Sequence, residues 1–167
     1  KDAKQFYNCD FYNNTIYNSK QAVINFSETS ERKNFRFFNN IFIGKDGLIK
    51  GDEGDDIFLA NDWYSIEKKF NANGMNIFEK WSVEKNKEQL NGKIFGLNVM
   101  PSFKNAGNTK ITNANQLSSF NAYKITNSSS ITKSGIDLQS LFGINIGSTD
   151  FNCELINKKC LGACNHQ

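Results

Sequence analysis

Aromatic and β-branched residues flank a pair of asparagines at two places near the start of the chain. The first copy, residues 11–17, has the sequence FYNNTIY, and the second, residues 37–43, has the sequence FFNNIFI. Such residues favour β-strands, whereas Asn tolerates the left-handed backbone angles of a tight turn. Each copy therefore predicts a strand, a turn and a second strand.

The spacing of 26 residues between the copies predicts successive coils of a solenoid. Each strand would pair with its equivalent one coil later, about 4.8 Å away, so that equivalent side chains stack. Tyr12 would then lie over Phe38, and Ile16 over Phe42. Since a solenoid usually needs at least three coils, we expect either the end of a longer one or a short one closed by a large cap. Further strands are predicted at residues 21–26, 48–50 and 57–60.

From about Asn61 onward the pattern changes. Residues 77–85 predict a helix, with Asn76 as its N-cap and Trp81 on its apolar face. Its solvated side is expected to hold Glu84, Glu88, Lys80, Lys85 and Lys87. A second short helix is predicted from near Asn113 through Leu117 and Phe120. We therefore expect parallel coils over residues 1–60 and a cap of short helices and loops over residues 61–167, packed on the last coil within one structural domain.

Composition narrows the classes of function. The 167 residues carry a net charge of +3, from 20 basic and 17 acidic residues without a basic block, which argues against a nucleic-acid partner. No apolar run approaches the roughly 18 residues of a membrane span. The single histidine, His166, excludes His-based triads and multi-His metal sites. The chain opens at Lys1 without a signal peptide, so we expect a mature or truncated product.

The order of several short motifs resembles the C-terminal region of secreted bacterial right-handed parallel β-helix proteins of the pectate-lyase-like type. The resemblance covers nearly the whole chain. It is carried by Asn61-Asp62-Trp63-Tyr64, Trp81, Glu88, Gly92, Gly96, Met100-Pro101-Ser102-Phe103, Ala122-Tyr123-Lys124-Ile125, Ser128, Gly135-Ile136-Asp137-Leu138, Phe142-Gly143-Ile144, Gly147, Asp150-Phe151 and Gly162-Ala163.

Three positions depart from the family's pattern. Met100 stands where the family usually has Asp, Ser129-Ser130 where it often has Ser-Pro, and Asn152-Cys153 where a Gly is common. These are changes of local turns. The resemblance implies an all-β fold, the last coils of a right-handed parallel β-helix with a C-terminal cap, and an extracellular or bacterial cell-surface location.

Many relatives of this kind resemble polysaccharide lyases, which use a Lys or Arg base and calcium held by carboxylates. Asp52, Glu53, Asp55 and Asp56, with Asp46 upstream, have the ligand type of a calcium site, and Gly51 and Gly54 would let the backbone turn around the ion. The alternative is a solvated surface turn, and the spacing is not that of an EF-hand. Nothing singles out Arg36, Lys45 or Lys50 as a base, so we assign no catalytic residue.

Trp63 and Tyr64 are candidates for carbohydrate binding, because aromatic faces at a coil edge stack on sugar rings. Arg36 is a candidate cation in such a site. The alternative for the two aromatic residues is packing of the cap onto the last coil. Trp81 is expected in the core.

Four cysteines, Cys9, Cys153, Cys160 and Cys164, allow three disulfide connectivities, among which the sequence does not choose. An even number in a chain resembling secreted proteins favours disulfides. The alternative is a zinc site formed by Cys153, Cys160, Cys164 and His166, although C-x6-C-x3-C-x-H is not a usual zinc pattern.

Taken together, these features predict the C-terminal part of a secreted or cell-surface parallel β-helix protein that binds polysaccharide, with no catalytic centre in this segment. Calcium is the candidate cofactor, and preceding coils or another protein chain are the candidate partners. One alternative is part of a polysaccharide lyase or glycoside hydrolase whose active site lies on coils before Lys1. The other is a purely structural cap or protein-interaction module.

Overall fold

The structure is a computed structural model that describes residues 6–20, 22–26, 32–44, 49–50, 56–65, 88–108, 112–126, 131–151 and 153–163. Most of its regular structure is strand. The strands are β1 (Phe6–Tyr12), β2 (Thr15–Ser19), β3 (Ile24–Asn25), β4 (Arg32–Phe38), β5 (Ile41–Gly44), β6 (Ile49–Lys50), β7 (Ile57–Leu59), β8 (Asp62–Ser65), β9 (Gln89–Leu90) and β10 (Lys93–Ile94). A 3-10 helix (Ala114–Tyr123) and helix α1 (Leu138–Phe142) follow. The predicted helix at residues 77–85 lies outside the described residues.

The first eight strands form three parallel sheets within the described residues. Sheet 1 contains β1, β4 and β7, sheet 2 contains β2, β5 and β8, and sheet 3 contains β3 and β6. Tyr12 pairs with Phe38 and Ile16 pairs with Phe42, so the register predicted from the 26-residue repeat is confirmed. We call β1–β3 the first layer, β4–β6 the second layer and β7–β8 the third layer.

A left-handed residue turns the chain from sheet 1 to sheet 2 in every layer. Asn13, Asn39 and Ala60 have φ angles of 53°, 52° and 58°. Asn tolerates this conformation better than other residues with a Cβ atom, which explains the first two positions. Ala60 has no such tolerance, so the third layer keeps the turn at a cost in strain.

The third layer was not recognised in the sequence. Strand β8 pairs in parallel with β5, with Phe42 opposite Trp63. The boundary predicted after residue 60 therefore falls inside this layer, and the parallel strands continue to Ser65. The repeat is hard to see because its spacing shortens to 21 residues, from Asn40 to Asn61, and Ala60 replaces the first asparagine of the pair.

Alternation along the strands creates one apolar interior and two apolar outer faces. Phe26, Phe37, Phe42 and Trp63 meet in the interior. The neighbours of these residues along each strand point outward and are also buried. On sheet 1 they are Phe38 and Leu59, packed against Ile136 and Leu138, and on sheet 2 they are Ile41 and Ile43, packed against Ile125, Ile131 and Leu161.

The segments after the third layer cover these outer faces as well as the last layer. Residues 88–99 follow the third layer, where Leu97 N–H donates to the Asn61 carbonyl at 2.9 Å. Further along, Ile136 N–H donates to Asn39 Oδ1 at 2.9 Å, and Ala163 N–H donates to Thr15 Oγ1 at 3.0 Å. These segments therefore cover the outer faces of sheets 1 and 2 in addition to the last layer, because the apolar residues on those faces also require cover.

A 3-10 helix and an antiparallel hairpin lie outside the parallel sheets. The 3-10 helix begins after Asn113, whose side chain accepts a hydrogen bond from Asn115 N–H at 3.0 Å, so the helical segment predicted there is confirmed. Strands β9 and β10 form an antiparallel hairpin. Its turn residues Asn91 and Gly92 both have positive φ angles, as a two-residue type I′ turn requires.

Gly162→Ala tests the close approach of the C-terminal segment to the first two layers. A Cβ atom there would lie 2.5 Å from Thr15 Oγ1 and 2.7 Å from Ile41 Cδ1. We expect the substitution to lower the free energy of unfolding by roughly 2 to 4 kcal/mol, from backbone strain together with overpacking. Urea denaturation followed by circular dichroism measures it.

Gly147→Ala is the matched control, because Gly147 has nearly the same φ angle, 80° against 78°, with no heavy atom within 4 Å of the added Cβ. It should cost only the strain, of the order of 1 kcal/mol. Equal losses for the two variants would contradict the described packing.

Candidate functional site

A ladder of asparagine side chains joins the three layers at the corner between sheets 1 and 2. Asn14 Nδ2 donates to Asn40 Oδ1 at 2.9 Å, and Asn40 Nδ2 donates to Asn61 Oδ1 at 2.9 Å. The backbone N–H groups of Asn14 and Asn40 donate to the same two oxygens, at 3.0 and 3.1 Å. The Oδ1 atoms of Asn40 and Asn61 therefore each accept from two donors of the preceding layer. The ladder has a direction, because each layer donates to the next one along the chain.

Glu88 ends this ladder on the third layer. Its Oε2 accepts from Asn61 N–H at 2.8 Å, and its Oε1 accepts from Asn61 Nδ2 at 3.3 Å and from the indole Nε1–H of Trp63 at 2.7 Å. The carboxylate thus takes the place that the next asparagine would occupy. Glu88 is 1% exposed, so its predicted position on the solvated side of a helix is wrong.

A second buried carboxylate lies one residue beyond the ladder. Asp62 Oδ1 accepts from Val99 N–H at 2.9 Å. Its other oxygen, Oδ2, is buried and has no hydrogen-bond partner within the described residues. Asp62 therefore connects the segment that covers sheet 2 to the third layer through Oδ1, while Oδ2 accepts no hydrogen bond from the described residues.

Burial dominates the electrostatics of this pair of carboxylates. It raises the pKa of Glu88 to about 7, although the hydrogen bonds from Asn61 and Trp63 act in the opposite direction. Burial also raises the pKa of Asp62 to about 7, and the charge of Glu88 adds to the rise while the Val99 N–H opposes it. The end of the ladder therefore changes charge near neutral pH.

A cleft of about 570 Å³ opens beside the outer face of sheet 2. Tyr17, Ile43 and Tyr64 occupy equivalent positions on β2, β5 and β8, and all three contribute to its lining. The opposite wall comes from the covering segment and contains Pro101, Ser102, Phe103 and Asn105. This cleft combines aromatic surface with polar groups, and Tyr64 is the one predicted carbohydrate-binding residue in it.

The structure places the other two candidates for carbohydrate binding elsewhere. Trp63 is 1% exposed in the interior cluster, where it packs among side chains of the layers, so its ring is not available to a sugar. Arg36 lies on β4 in sheet 1, outside the cleft lining. Its guanidinium forms two hydrogen bonds to Asp10, at 2.6 and 2.8 Å, which raise the pKa of Arg36 above its ordinary value.

Only one of the four predicted calcium ligands lies in the described part of the chain. Asp56 Oδ2 accepts from Arg32 Nε at 2.9 Å, and the Asp56 side chain is 1% exposed. Asp52, Glu53 and Asp55 lie outside the described residues, so the calcium site stays a prediction. Among the described residues, no group of three or more His, Cys, Asp or Glu side chains could hold a metal ion.

The predicted disulfides and the alternative zinc site also stay predictions. Cys9 is half-buried and Cys153 is exposed. Cys160 is buried, and its Sγ donates to the Leu161 carbonyl at 3.3 Å. Cys164 and His166 lie outside the described residues.

Comparison with known proteins adds no relative. No protein-family model matches the chain, and no curated protein matches its sequence. Within the described residues, no helix is long and apolar enough to cross a membrane.

The raised pKa values of Asp62 and Glu88 predict how stability depends on pH. The pKa values of both carboxyls in the folded state lie above their ordinary values of 3.8 and 4.5, so each carboxyl holds its proton more tightly in the folded state. Their contribution to the free energy of unfolding is therefore present in acid and is lost as the pH rises through about 7. We expect the free energy of unfolding to be lower at pH 8 than at pH 5.5, by an amount of the order of 1 to 3 kcal/mol. Urea denaturation at the two pH values measures it.

The double variant Asp62→Asn, Glu88→Gln removes both ionisations and is expected to flatten this dependence. An amide at residue 62 can still accept from Val99 N–H, which limits the damage to the fold. A slope that the double variant leaves unchanged would assign the pH dependence to other groups.

Proposed function

We propose that this segment forms the last coils and the closing end of a parallel β-helix, and that its role is to terminate the coil stack. In this proposal each layer is one coil, and sheets 1, 2 and 3 are the faces of the helix. The observation that carries the proposal is the Glu88 carboxylate, which accepts the donors of Asn61 where a further coil would otherwise place an asparagine.

Termination is a real requirement for such a stack. The last coil has a row of unpaired backbone groups that invites pairing with another chain. Here Leu97 forms a parallel bridge with Asp62, and the Trp63 N–H donates to the Leu97 carbonyl at 3.0 Å. The covering segment therefore occupies the edge of β8.

The location and partners of the proposed protein follow from the resemblance. The resemblance implies a secreted or bacterial cell-surface protein. Preceding coils are the expected partner of this segment. The enzyme alternative, in which a lyase or hydrolase centre lies on those preceding coils, is supported by the resemblance alone.

Glu88→Ala tests the terminating role. The substitution leaves the N–H groups of Asn61 and the indole N–H of Trp63 buried without their acceptor, which should lower the free energy of unfolding by roughly 3 to 5 kcal/mol. The substitution should also expose the Asn61 end of the ladder and so increase concentration-dependent association, which sedimentation velocity measures.

The exposed residue Gln139 on α1 offers a control, Gln139→Ala, which should change neither property. If Glu88→Ala associates no more than this control, under conditions where both are folded, Glu88 does not protect the end.

Polysaccharide binding is a second candidate function, favoured by the cleft beside sheet 2. Tyr17 and Tyr64 lie two strands apart across Ile43 in this cleft, a separation of roughly 9.6 Å at the usual strand spacing. Tyrosine rings offer an apolar face to a sugar and a hydroxyl group to its polar edge. Ser102 and Asn105 add exposed hydrogen-bonding groups.

Tyr64→Ala tests this candidate by titration calorimetry with oligosaccharides of polygalacturonate, alginate and glycosaminoglycan. We expect at least one oligosaccharide to bind, and the substitution to weaken that binding about tenfold, the equivalent of about 1.4 kcal/mol. Tyr7→Ala is the matched control, because Tyr7 is an exposed tyrosine on β1 outside the cleft. Equal losses for the two variants, or no binding by the unaltered chain, would contradict a glycan site here.

A further inference from the structure

The first layer presents an open face on the side away from the second layer. Strands β1 and β2 lie at the ends of sheets 1 and 2, so each is paired on one side within the described residues. Between them the interior opens into a cavity of about 500 Å³, lined by residues that include Phe11, Ile16, Ile24 and Phe37. The apolar interior is therefore continuous with this surface.

The aromatic stack of the interior also reaches the open face. The rings of Phe37 and Phe58 are stacked with centroids 4.6 Å apart, and those of Phe11 and Phe37 are stacked at 4.8 Å. Phe11 is 39% exposed, whereas Phe37 in the second layer is buried. A further ring over Phe11 would continue the same column.

The asparagine ladder defines what the open face accepts. In each deeper layer, the Oδ1 atom takes two donors from the layer before it, as Asn40 takes the N–H and Nδ2 of Asn14. Asn14 Nδ2 donates to Asn40 and to the Tyr12 carbonyl, and its own Oδ1 has no partner among the described residues. The ladder therefore ends on the open face with an unused acceptor.

A second ladder in sheet 1 has the opposite direction. Asn34 Nδ2 donates to Asn8 Oδ1 at 2.8 Å, and both residues have φ angles of 57°. The open face thus presents an acceptor at Asn14 and the Nδ2 donor of Asn8. An asparagine side chain, with both a donor and an acceptor, satisfies either position.

We infer that the open face of the first layer is the docking surface for another parallel coil that carries asparagines opposite Asn8 and Asn14 and an aromatic residue opposite Phe11. This inference rests on the proposed function and adds the recognition rule. A second copy docked face to face through a two-fold axis would wind in the opposite sense, so its strands could not all continue the parallel pairing of β1 with β4 and of β2 with β5. Continuation of this parallel pairing favours a parallel coil over a symmetric dimer.

A tandem variant tests the inference, with residues 6–31 duplicated in front of Phe6. The added coil carries the required residues at the same spacing, so it should stack on the first layer. We expect the midpoint of urea denaturation to rise, the m-value to increase with the added buried surface, and hydrogen exchange of the β1 amides to slow about tenfold.

Changing the added copy of Asn14 to Asp separates the recognition rule from stacking in general. Aspartate has no side-chain N–H and places a carboxylate against the Asn14 acceptor, so the gain in midpoint should be lost. The control is Asn18→Asp in the added copy, since Asn18 is an exposed asparagine of the same layer that takes no part in the ladder. That variant should keep the gain.

The outcomes distinguish the two proposals. An added coil that gives no protection and no rise in midpoint overturns the docking surface, whereas the coil-terminating role at the other end stands or falls with Glu88→Ala. An added coil that stacks equally well with Asp at the ladder position overturns only the recognition rule. If the unaltered chain dimerises in sedimentation and the added coil blocks the dimer, a second copy is the occupant and the inference is wrong.

Discussion

The structure depends on hydrogen bonding at the corner where each layer passes from sheet 1 to sheet 2. The backbone changes direction there, and the side chain of the second asparagine supplies partners to neighbouring groups. Asn40 uses its full capacity, with two bonds accepted from Asn14 and two donated, to the Phe11 carbonyl and to Asn61. A completely buried amide is tolerated because none of its polar atoms lacks a partner. The left-handed residue before it makes this geometry reachable.

The same requirement explains why the ladder ends on a carboxylate. A ladder that passes donors forward must finish on a group that only accepts, and the ionised form of Glu88 accepts from Asn61 and Trp63 without needing a partner beyond. An asparagine in its place would present two further donors with nothing to receive them. The cost is desolvation of a charge, which raises the pKa of Glu88 to about 7 and makes this end sensitive to pH.

The sequence predicted the part of the fold that follows from local pattern. Two aromatic–Asn–Asn segments at a fixed spacing were enough for the parallel register, because side-chain period and turn chemistry agree there. The third layer was missed since Ala60 breaks the Asn–Asn pair, although the polar Asn61 before an aromatic residue was a usable signal. Glu88 was misassigned because helical periodicity cannot show that three donors from distant residues converge on one carboxylate. The Asn91–Gly92 hairpin beside it was the local indication that a helix would not continue.

The two ends of the layered structure are chemically different, so the proposed coil stack would grow in one direction. On the third layer, Glu88 uses the ladder donors and Leu97 pairs with the edge at Asp62. On the first layer, within the described residues, the Asn14 acceptor, the Phe11 ring and the interior cavity lie open, as the proposed docking of a further coil requires. The apolar outer faces of sheets 1 and 2 are already buried by the segments that follow. In the proposed stack, an additional layer would therefore join at the first layer with the existing chemistry, whereas addition at the third layer would have to displace a bonded carboxylate and a covering segment.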